Sequence, residues 1–195
     1  MKCYITLTKE EVEKLLRCMS IGKEYNATLY AQKKGKSQIE NKVYKYLSRE
    51  LSKRLRLADN NYQPIIFYIR KPEYMNMFGD NESAYNIIEC NIIQNKLIYI
   101  DFESLIAAFS GKLILPNWSE EKAIFEDRKN KCGYISDMVV YPDRKLSCEQ
   151  IKCKKQVIKS WGNIFDINPK DVDEETQWLC MVGFSIDNRE FKRIL

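Results

Sequence analysis

The chain has 195 residues and contains no histidine. It therefore cannot build a serine or cysteine nucleophile system that depends on an imidazole base, nor a zinc site with histidine ligands. Glycine and proline are scarce, with 7 and 5 residues, which argues against a fibrous or disordered chain. The glycine motifs GxxxxGK[ST] and GxGxxG, which cradle phosphates, are absent, as are GxSxG and HExxH.

Long apolar runs are absent as well. The longest, near Pro64–Ile69, is far too short to span a bilayer, so we expect no membrane segment. The first residues lack the apolar region of a signal peptide, and the seven cysteines include no CxxC pair. Their odd number and this context predict reduced thiols in a cytoplasmic protein, without a metal site.

What the chain does contain is enough apolar material for a packed core, with 45% hydrophobic and 12% aromatic residues. The net charge of +5 is uneven: residues 1–60 carry 14 basic and 7 acidic side chains, whereas residues 61–195 carry 18 and 20. The length fits one domain. We therefore expect a single α+β domain over residues 1–195 with a basic, helical N-terminal third at residues 8–57.

Local patterns predict the elements of this domain. Capping boxes, which mark helix starts, occur at Thr8 with Glu11, at Ser37 with Glu40 and at Ser147 with Gln150. Extended segments are predicted at 3–7, 64–69, 86–93, 96–100, 134–141, 176–184 and 189–195, with a hairpin turn at Gln94-Asn95. Helices and strands are interspersed without regular βαβ alternation, which favours a mixed, strongly bent sheet with about five helices.

The helix at 38–57 is the clearest amphipathic segment, and its polar face is basic. The cations on that face are Lys42, Lys45, Arg49, Lys53 and Arg56. A second basic cluster comprises Arg144, Lys145, Lys152, Lys154, Lys155 and Lys159. Such surfaces either bind nucleic-acid phosphates, with strong salt dependence and little sequence selectivity, or are ordinary solvated helix faces.

Two other patterns have structural explanations. Asp101 with the later Glu120-Glu121-Lys122 has the letters of a metal-nuclease motif, but that motif needs its E-x-K on a strand, and Ser119 predicts a helix start. Cys90 stands in the middle of an apolar strand, where a buried structural thiol is expected.

Three segments together resemble a bacterial and phage family catalogued as domain of unknown function 3841. They are Leu97–Phe102, Ser160–Ile167 and Thr176–Leu179. The order of the predicted elements also fits this family across most of the chain. The resemblance implies a shared fold but supplies no activity.

The chain also resembles ADP-ribosyltransferase-like folds. The first strand leads at once into a helix, the centre reads as strand, loop and strand, and a late acidic loop opens another strand. In those enzymes a first-strand His or Arg grips the nicotinamide ribose, a Ser, Thr or Tyr supports it, and a late Glu aids glycosidic cleavage. By position, the resemblance places Tyr4 or Thr6 first, Tyr68 or Arg70 second, and Glu175 or Gln177 third.

Two hypotheses follow. In the first, the protein transfers ADP-ribose from NAD to a protein or nucleic acid, in conflict between phage and bacteria, with Glu175 stabilising the transition state and Arg70 on the NAD phosphates. In the second, the fold is kept without its chemistry, because the first strand has neither His nor Arg. The protein would then be an inhibitor or adaptor of a nucleic-acid-handling complex that docks through Lys42, Lys45, Arg49 and Lys53.

Overall fold

The computed structural model describes residues 1–18, 20–21, 37–57, 64–69, 85–115, 119–167, 179–183, 186–187 and 189–195. The strands are β1 (Lys2–Thr8), β2 (Ser20–Ile21), β3 (Ile65–Tyr68), β4 (Tyr85–Asn91), β5 (Ile98–Asp101), β6 (Leu179–Gly183), β7 (Ile186–Asp187) and β8 (Phe191–Ile194). The α-helices are α1 (Lys9–Cys18), α2 (Gln38–Arg54), α3 (Phe102–Phe109), α4 (Glu120–Cys132) and α5 (Cys148–Ser160). Short 3-10 helices occur at Gln94–Lys96, Ser136–Val140, Asp143–Lys145 and Trp161–Phe165. The expected α+β class is confirmed.

Six strands form one sheet in the order β5-β6-β3-β1-β4-β8, and β2 pairs with β7 in a separate ribbon. All the pairings described are antiparallel, which corrects the expected mixed sheet. A parallel pair needs a crossover that returns the chain to the starting end of its neighbour. The connection from β1 through α1 and α2 instead delivers β3 at the end where β1 finishes.

The predicted hairpin at Gln94-Asn95 is wrong. Strands β4 and β5 are separated in the sheet by β1, β3 and β6, and the predicted turn lies in a 3-10 helix. Ile92 and Leu97, on either side of it, are both buried in the core, so the connection packs against the sheet instead of folding back. The predicted extended segment at 134–141 is also wrong, because Ser136–Val140 is a 3-10 helix that buries Val139.

Strand β1 separates two apolar cores because its side chains alternate between the two faces of the sheet. Cys3, Ile5 and Leu7 lie on the face that α1 covers, which we call the α1 face. Tyr4 packs on the opposite side, against the core formed by α2 to α5, which we call the bundle face. Helix α1 therefore covers one face of the sheet, and helices α2 to α5 pack on the other face.

The helix starts occur where the capping boxes predicted them. The Glu11 carboxylate accepts from the Thr8 backbone N–H at 2.8 Å, and Thr8 Oγ1 accepts from the Glu11 N–H at 3.2 Å. The same reciprocal bonds open α2 and α5. These caps satisfy helix N–H groups that have no partner within the helix. Within the described residues, no helix has both the length and the apolar character needed to cross a membrane.

Candidate functional site

A single row of residues crosses the six-stranded sheet from edge to edge. Its members, one per strand, are Ile100, Cys180, Tyr68, Tyr4, Glu89 and Arg193. Residues directly opposite each other in antiparallel strands project from the same face, so Tyr68, Tyr4, Glu89 and Arg193 share one face of the sheet. The row starts at Ile100, which is fully buried on the bundle face, and ends at the exposed Arg193. Tyr4 thus stands at the boundary between the covered and uncovered parts of the bundle face.

Tyr4 and Tyr68 are the sequence-predicted site residues that the structure brings together. They are register partners in β1 and β3. Tyr68 is buried, with its ring edge-on to Phe102 at 6.2 Å, while Tyr4 is half-buried. Thr6 follows two residues later in β1 and therefore projects from the same face as Tyr4. An aromatic pair and a hydroxyl thus share one part of this face.

The other predicted members of this site, Arg70, Glu175 and Gln177, lie outside the described residues. The structure describes the next part of the chain: β6 begins at Leu179 and pairs with β3, which in turn pairs with β1. The described strands β1, β3 and β6 are therefore neighbours in the sheet.

Sequence reasoning missed Glu89, the next member of the row. Its Oε2 accepts from Arg193 Nη2 at 3.0 Å and from Nε at 3.2 Å, and Lys2 Nζ lies 3.5 Å away. The hydrogen bond from Arg193 holds the pKa of Glu89 below its usual value, and Lys2 adds to this effect. Its signal in the sequence is a lone carboxylate inside the apolar strand β4.

Lys2 links this ion pair to the aromatic pair. Its Nζ lies 5.4 Å from the centroid of the Tyr4 ring, within the range of a cation–π contact. A hydrogen bond with Tyr4 raises the pKa of Lys2 above its ordinary value, and Glu89 raises it further. Lys2, Tyr4, Glu89 and Arg193 therefore form one connected group, which we call the sheet-end cluster.

Lys42, the first cation of the predicted basic surface on α2, makes a structural contact. Lys42 is half-buried, and its Nζ donates to the carbonyl oxygen of Val139 at 2.7 Å. Burial lowers the pKa of Lys42, and the nearby Lys154 lowers it further. The Lys42 amine therefore binds a backbone carbonyl of the 3-10 helix Ser136–Val140, which gives it a structural role.

The remaining predicted cations on α2 are exposed. Arg49 Nε and Lys53 Nζ lie 3.3 and 2.9 Å from the same Glu50 oxygen, and the Arg49 guanidinium lies 5.4 Å from the Tyr46 ring centroid. Lys45 is exposed one turn beyond Lys42. One carboxylate thus offsets two cations, and the face keeps a positive balance.

The second basic cluster meets the first beside Lys42. Lys154 Nζ donates to the Tyr141 carbonyl and to Asp143 Oδ1, both at 2.6 Å. The pKa of Asp143 is lowered first by this bond and then by the positive charges of Lys155 and Lys42. Cations from α2 and α5 therefore surround a single carboxylate, and we call this place the basic junction (Lys42, Asp143, Lys154 and Lys155).

A family model described as Domain of unknown function (DUF3841) matches residues 8–179. The chain belongs to this family. No curated protein and no solved structure matches it, and the resemblance to ADP-ribosyltransferases gains no support from the comparisons. The DUF3841 match covers the basic junction, Tyr68 and the acidic loop, whereas Tyr4, Thr6 and Arg193 lie outside it.

Four of the cysteines that the structure describes form two close pairs. Cys3 and Cys90 are register partners on the α1 face, and Cys132 Sγ lies 3.9 Å from Cys153 Sγ between α4 and α5. Burial raises the pKa of Cys3 to about 11, of Cys90 to about 12 and of Cys153 to about 11. A thiol with so high a pKa is a poor nucleophile at neutral pH, so these cysteines act as core residues.

Asp101 also has a structural role in the DUF3841 fold. Its Oδ1 accepts from the Ser104 backbone N–H at 2.6 Å and so caps α3. Glu120 and Glu121 occupy the first turn of α4, as the sequence predicted, and not a strand. Among the described residues, no three His, Cys, Asp or Glu side chains gather closely enough to hold a metal ion.

Proposed function

We propose that this DUF3841 domain is an ADP-ribosyltransferase-like enzyme with NAD as its substrate. The observation that carries the proposal is the pairing of Tyr4 with Tyr68 across β1 and β3, with β6 next to β3. Tyr4 and Tyr68 are far apart in sequence and become partners in the sheet, and β6, which begins at Leu179, lies next to β3. A site assembled from adjacent strands can hold its groups rigidly, as catalysis requires.

The reaction follows from the groups assigned to it. The bond between nicotinamide and ribose C1′ breaks, its electron pair leaves with nicotinamide, and the ribose develops positive charge. Glu175 would stabilise that charge electrostatically. An acceptor hydroxyl or amine then bonds to C1′ and loses its proton, so the products are nicotinamide, the ADP-ribosylated acceptor and a proton.

The described residues would bind rather than react. The half-buried Tyr4 offers an aromatic ring with a hydroxyl tip, and Thr6 adds a hydroxyl on the same face, while the buried Tyr68 lies beside Tyr4 on the adjacent strand. Arg70 would pair with the NAD phosphates, since a guanidinium recognises phosphate in a bidentate manner. Burial of Tyr68 against Phe102 fixes the position of its ring before any ligand arrives.

The test measures nicotinamide release from NAD by the purified protein with candidate protein and nucleic-acid acceptors. We expect Glu175→Gln to lower the rate by roughly 100- to 1,000-fold, the usual effect of removing one electrostatic stabiliser. Glu174→Gln is the matched control and should retain activity. Tyr4→Ala should weaken NAD binding. Absence of both NAD binding and nicotinamide release in the wild type would overturn the proposal.

A second candidate function is docking of a nucleic-acid-handling complex without catalysis. The observation that favours it is the basic junction, where the cations of α2 and α5 become neighbours. A surface of this kind binds phosphates by releasing counterions, so affinity falls steeply with salt. Phosphate-bearing partners therefore match its charge.

Charge reversal separates the two candidates. Lys45→Glu with Arg49→Glu and Lys155→Glu should abolish binding to a 20-nucleotide DNA or RNA, whereas Glu175→Ala should leave it unchanged. Lys42 and Lys154 are left intact because they hold backbone carbonyls. Unchanged binding by the triple variant would remove the docking function. A steep fall of wild-type affinity with rising salt, together with loss of binding in the triple variant, would support it.

A further inference from the structure

The sheet-end cluster lies where the bundle face becomes exposed. The side chains of Lys2 and Arg193 are 55% and 65% exposed, whereas that of Glu89 is only 14% exposed. A mostly covered carboxylate thus holds two accessible cations on the same face as Tyr4. The cluster carries one negative and two positive charges, so it keeps a net positive charge beside an aromatic ring.

An exposed ion pair by itself contributes little to stability. The arrangement here is more specific, because a single oxygen, Glu89 Oε2, is the acceptor that Arg193 and Lys2 share. The guanidinium of Arg193 has five N–H donors, and the ammonium of Lys2 has three. Sharing one oxygen leaves donors on both groups that can reach an anion above the sheet.

The position of the cluster relates it to the proposed NAD site. Lys2 stands two residues before Tyr4 on β1, with its Nζ 5.4 Å from the ring centroid. Arg193 lies on β8, two strands from β1, and its guanidinium meets Glu89 on β4, the strand between them. In a dinucleotide one ribose separates each ring from the diphosphate, so a ligand whose ring contacts Tyr4 would carry its diphosphate toward the neighbouring cations Lys2 and Arg193. Guanidinium and ammonium groups are the side chains that pair best with phosphate.

We propose that Lys2 and Arg193, held in place by Glu89, bind the diphosphate of a dinucleotide whose ring contacts Tyr4. This inference rests on the proposed function and adds to it two binding residues and a positioning residue, all at the uncovered end of the sheet. It adds Lys2 and Arg193 to Arg70, the cation that the proposed function already assigns to the NAD phosphates.

The experiment is an equilibrium titration with NAD, ADP-ribose and nicotinamide riboside, the last of which has no phosphate. Variants are Lys2→Ala, Arg193→Ala, the double variant and Arg193→Lys. Lys192→Ala is the matched control, because Lys192 is an exposed cation adjacent to Arg193 on β8 that lies at the register shift of the β4–β8 pair, outside the row that contains Glu89. Thermal melts establish that each variant is folded.

We expect the double variant to lose about 10- to 100-fold in affinity for NAD and ADP-ribose, as removal of charge-assisted bonds to phosphate does. Its affinity for nicotinamide riboside should not change, and Lys192→Ala should match the wild type. Arg193→Lys should retain most of the affinity because it keeps the charge.

Equal losses for all three ligands would overturn the inference in favour of a structural role. NAD binding that is unchanged in the double variant would also overturn it, while leaving the proposed function standing. Failure of the wild type to bind any of the three would overturn both.

Discussion

Lys42 Nζ lies 2.7 Å from the carbonyl oxygen of Val139, a residue 97 positions later in the chain. The bond joins α2 to the 3-10 helix Ser136–Val140. It also removes Lys42 from the set of freely exposed cations. A lysine that the sequence places on a binding surface is therefore part of the framework that holds this surface together.

The first prediction concerns that bond. Lys42→Ala should lower the free energy of unfolding by about 1–3 kcal/mol, because the Val139 carbonyl would be left without its donor in a partly buried place. Lys45→Ala, one turn further along the same helix, should change it by less than about 0.5 kcal/mol. Urea denaturation of both variants measures the difference. Equal losses of stability in the two variants would mean that the Lys42–Val139 bond does not contribute to the free energy of unfolding.

A second prediction follows from the lowered pKa of Glu89. Because the folded carboxyl holds its proton less tightly than the unfolded one, its contribution to stability is present above the unfolded pKa of about 4.3. That contribution is lost as the pH falls through the still lower folded pKa. Glu89→Gln should therefore be less stable than the wild type at pH 6, and the gap should close toward pH 3.

Salt provides the control for the Glu89 prediction. The partners Lys2 and Arg193 are exposed, so 1 M NaCl should narrow the gap at pH 6 as it screens their charges. Glu13→Gln removes an exposed carboxylate on α1 and is the matched control for loss of a surface charge. A gap that persists unchanged at pH 3 would show that Glu89 acts through packing and not through its charge.

The third prediction uses a close backbone approach. A Cβ on Gly183 would meet the Lys96 carbonyl oxygen at 3.0 Å and the Leu97 side chain at 3.1 Å. Gly183→Ala should therefore cost about 1–3 kcal/mol of stability through overpacking. At Gly162 the nearest atom to such a Cβ is the Tyr46 hydroxyl oxygen at 3.6 Å, an ordinary contact. Gly162→Ala should be nearly neutral, and a similar loss in both variants would contradict this account.

Elements whose contacts join residues close together in sequence could be predicted, whereas contacts between distant residues could not. The capping boxes at Thr8, Ser37 and Ser147 could be predicted because each involves residues three positions apart. The amphipathic face of α2 was likewise predictable from its periodicity, although the helix ends at Arg54 and not near Leu57. Local chemistry was sufficient for these elements.

Strand neighbours depend on distant residues and were not predictable. The turn residues at Gln94-Asn95 favour a hairpin locally, yet burial of Ile92 and Leu97 outweighs that preference. The Glu89–Arg193 contact spans 104 positions, and no local pattern in either strand indicates it. Only part of the candidate site could therefore be predicted from the sequence. A family resemblance indicated Tyr4 and Tyr68, whereas the cations beside them were identified only in the folded structure.

The last prediction compares two thiols on one helix. Cys148 is exposed at the start of α5, whereas Cys153 is fully buried and has its pKa raised to about 11, first by burial and then by its hydrogen bond with Cys132. At pH 8 the alkylating agent iodoacetamide needs both access and a thiolate, so Cys148 should react on the order of 100-fold faster or more. Mass spectrometry of the separated peptides measures each rate. In 8 M urea the two rates should converge, because the difference belongs to the fold; comparable rates in the native protein would place Cys153 outside the α4–α5 core.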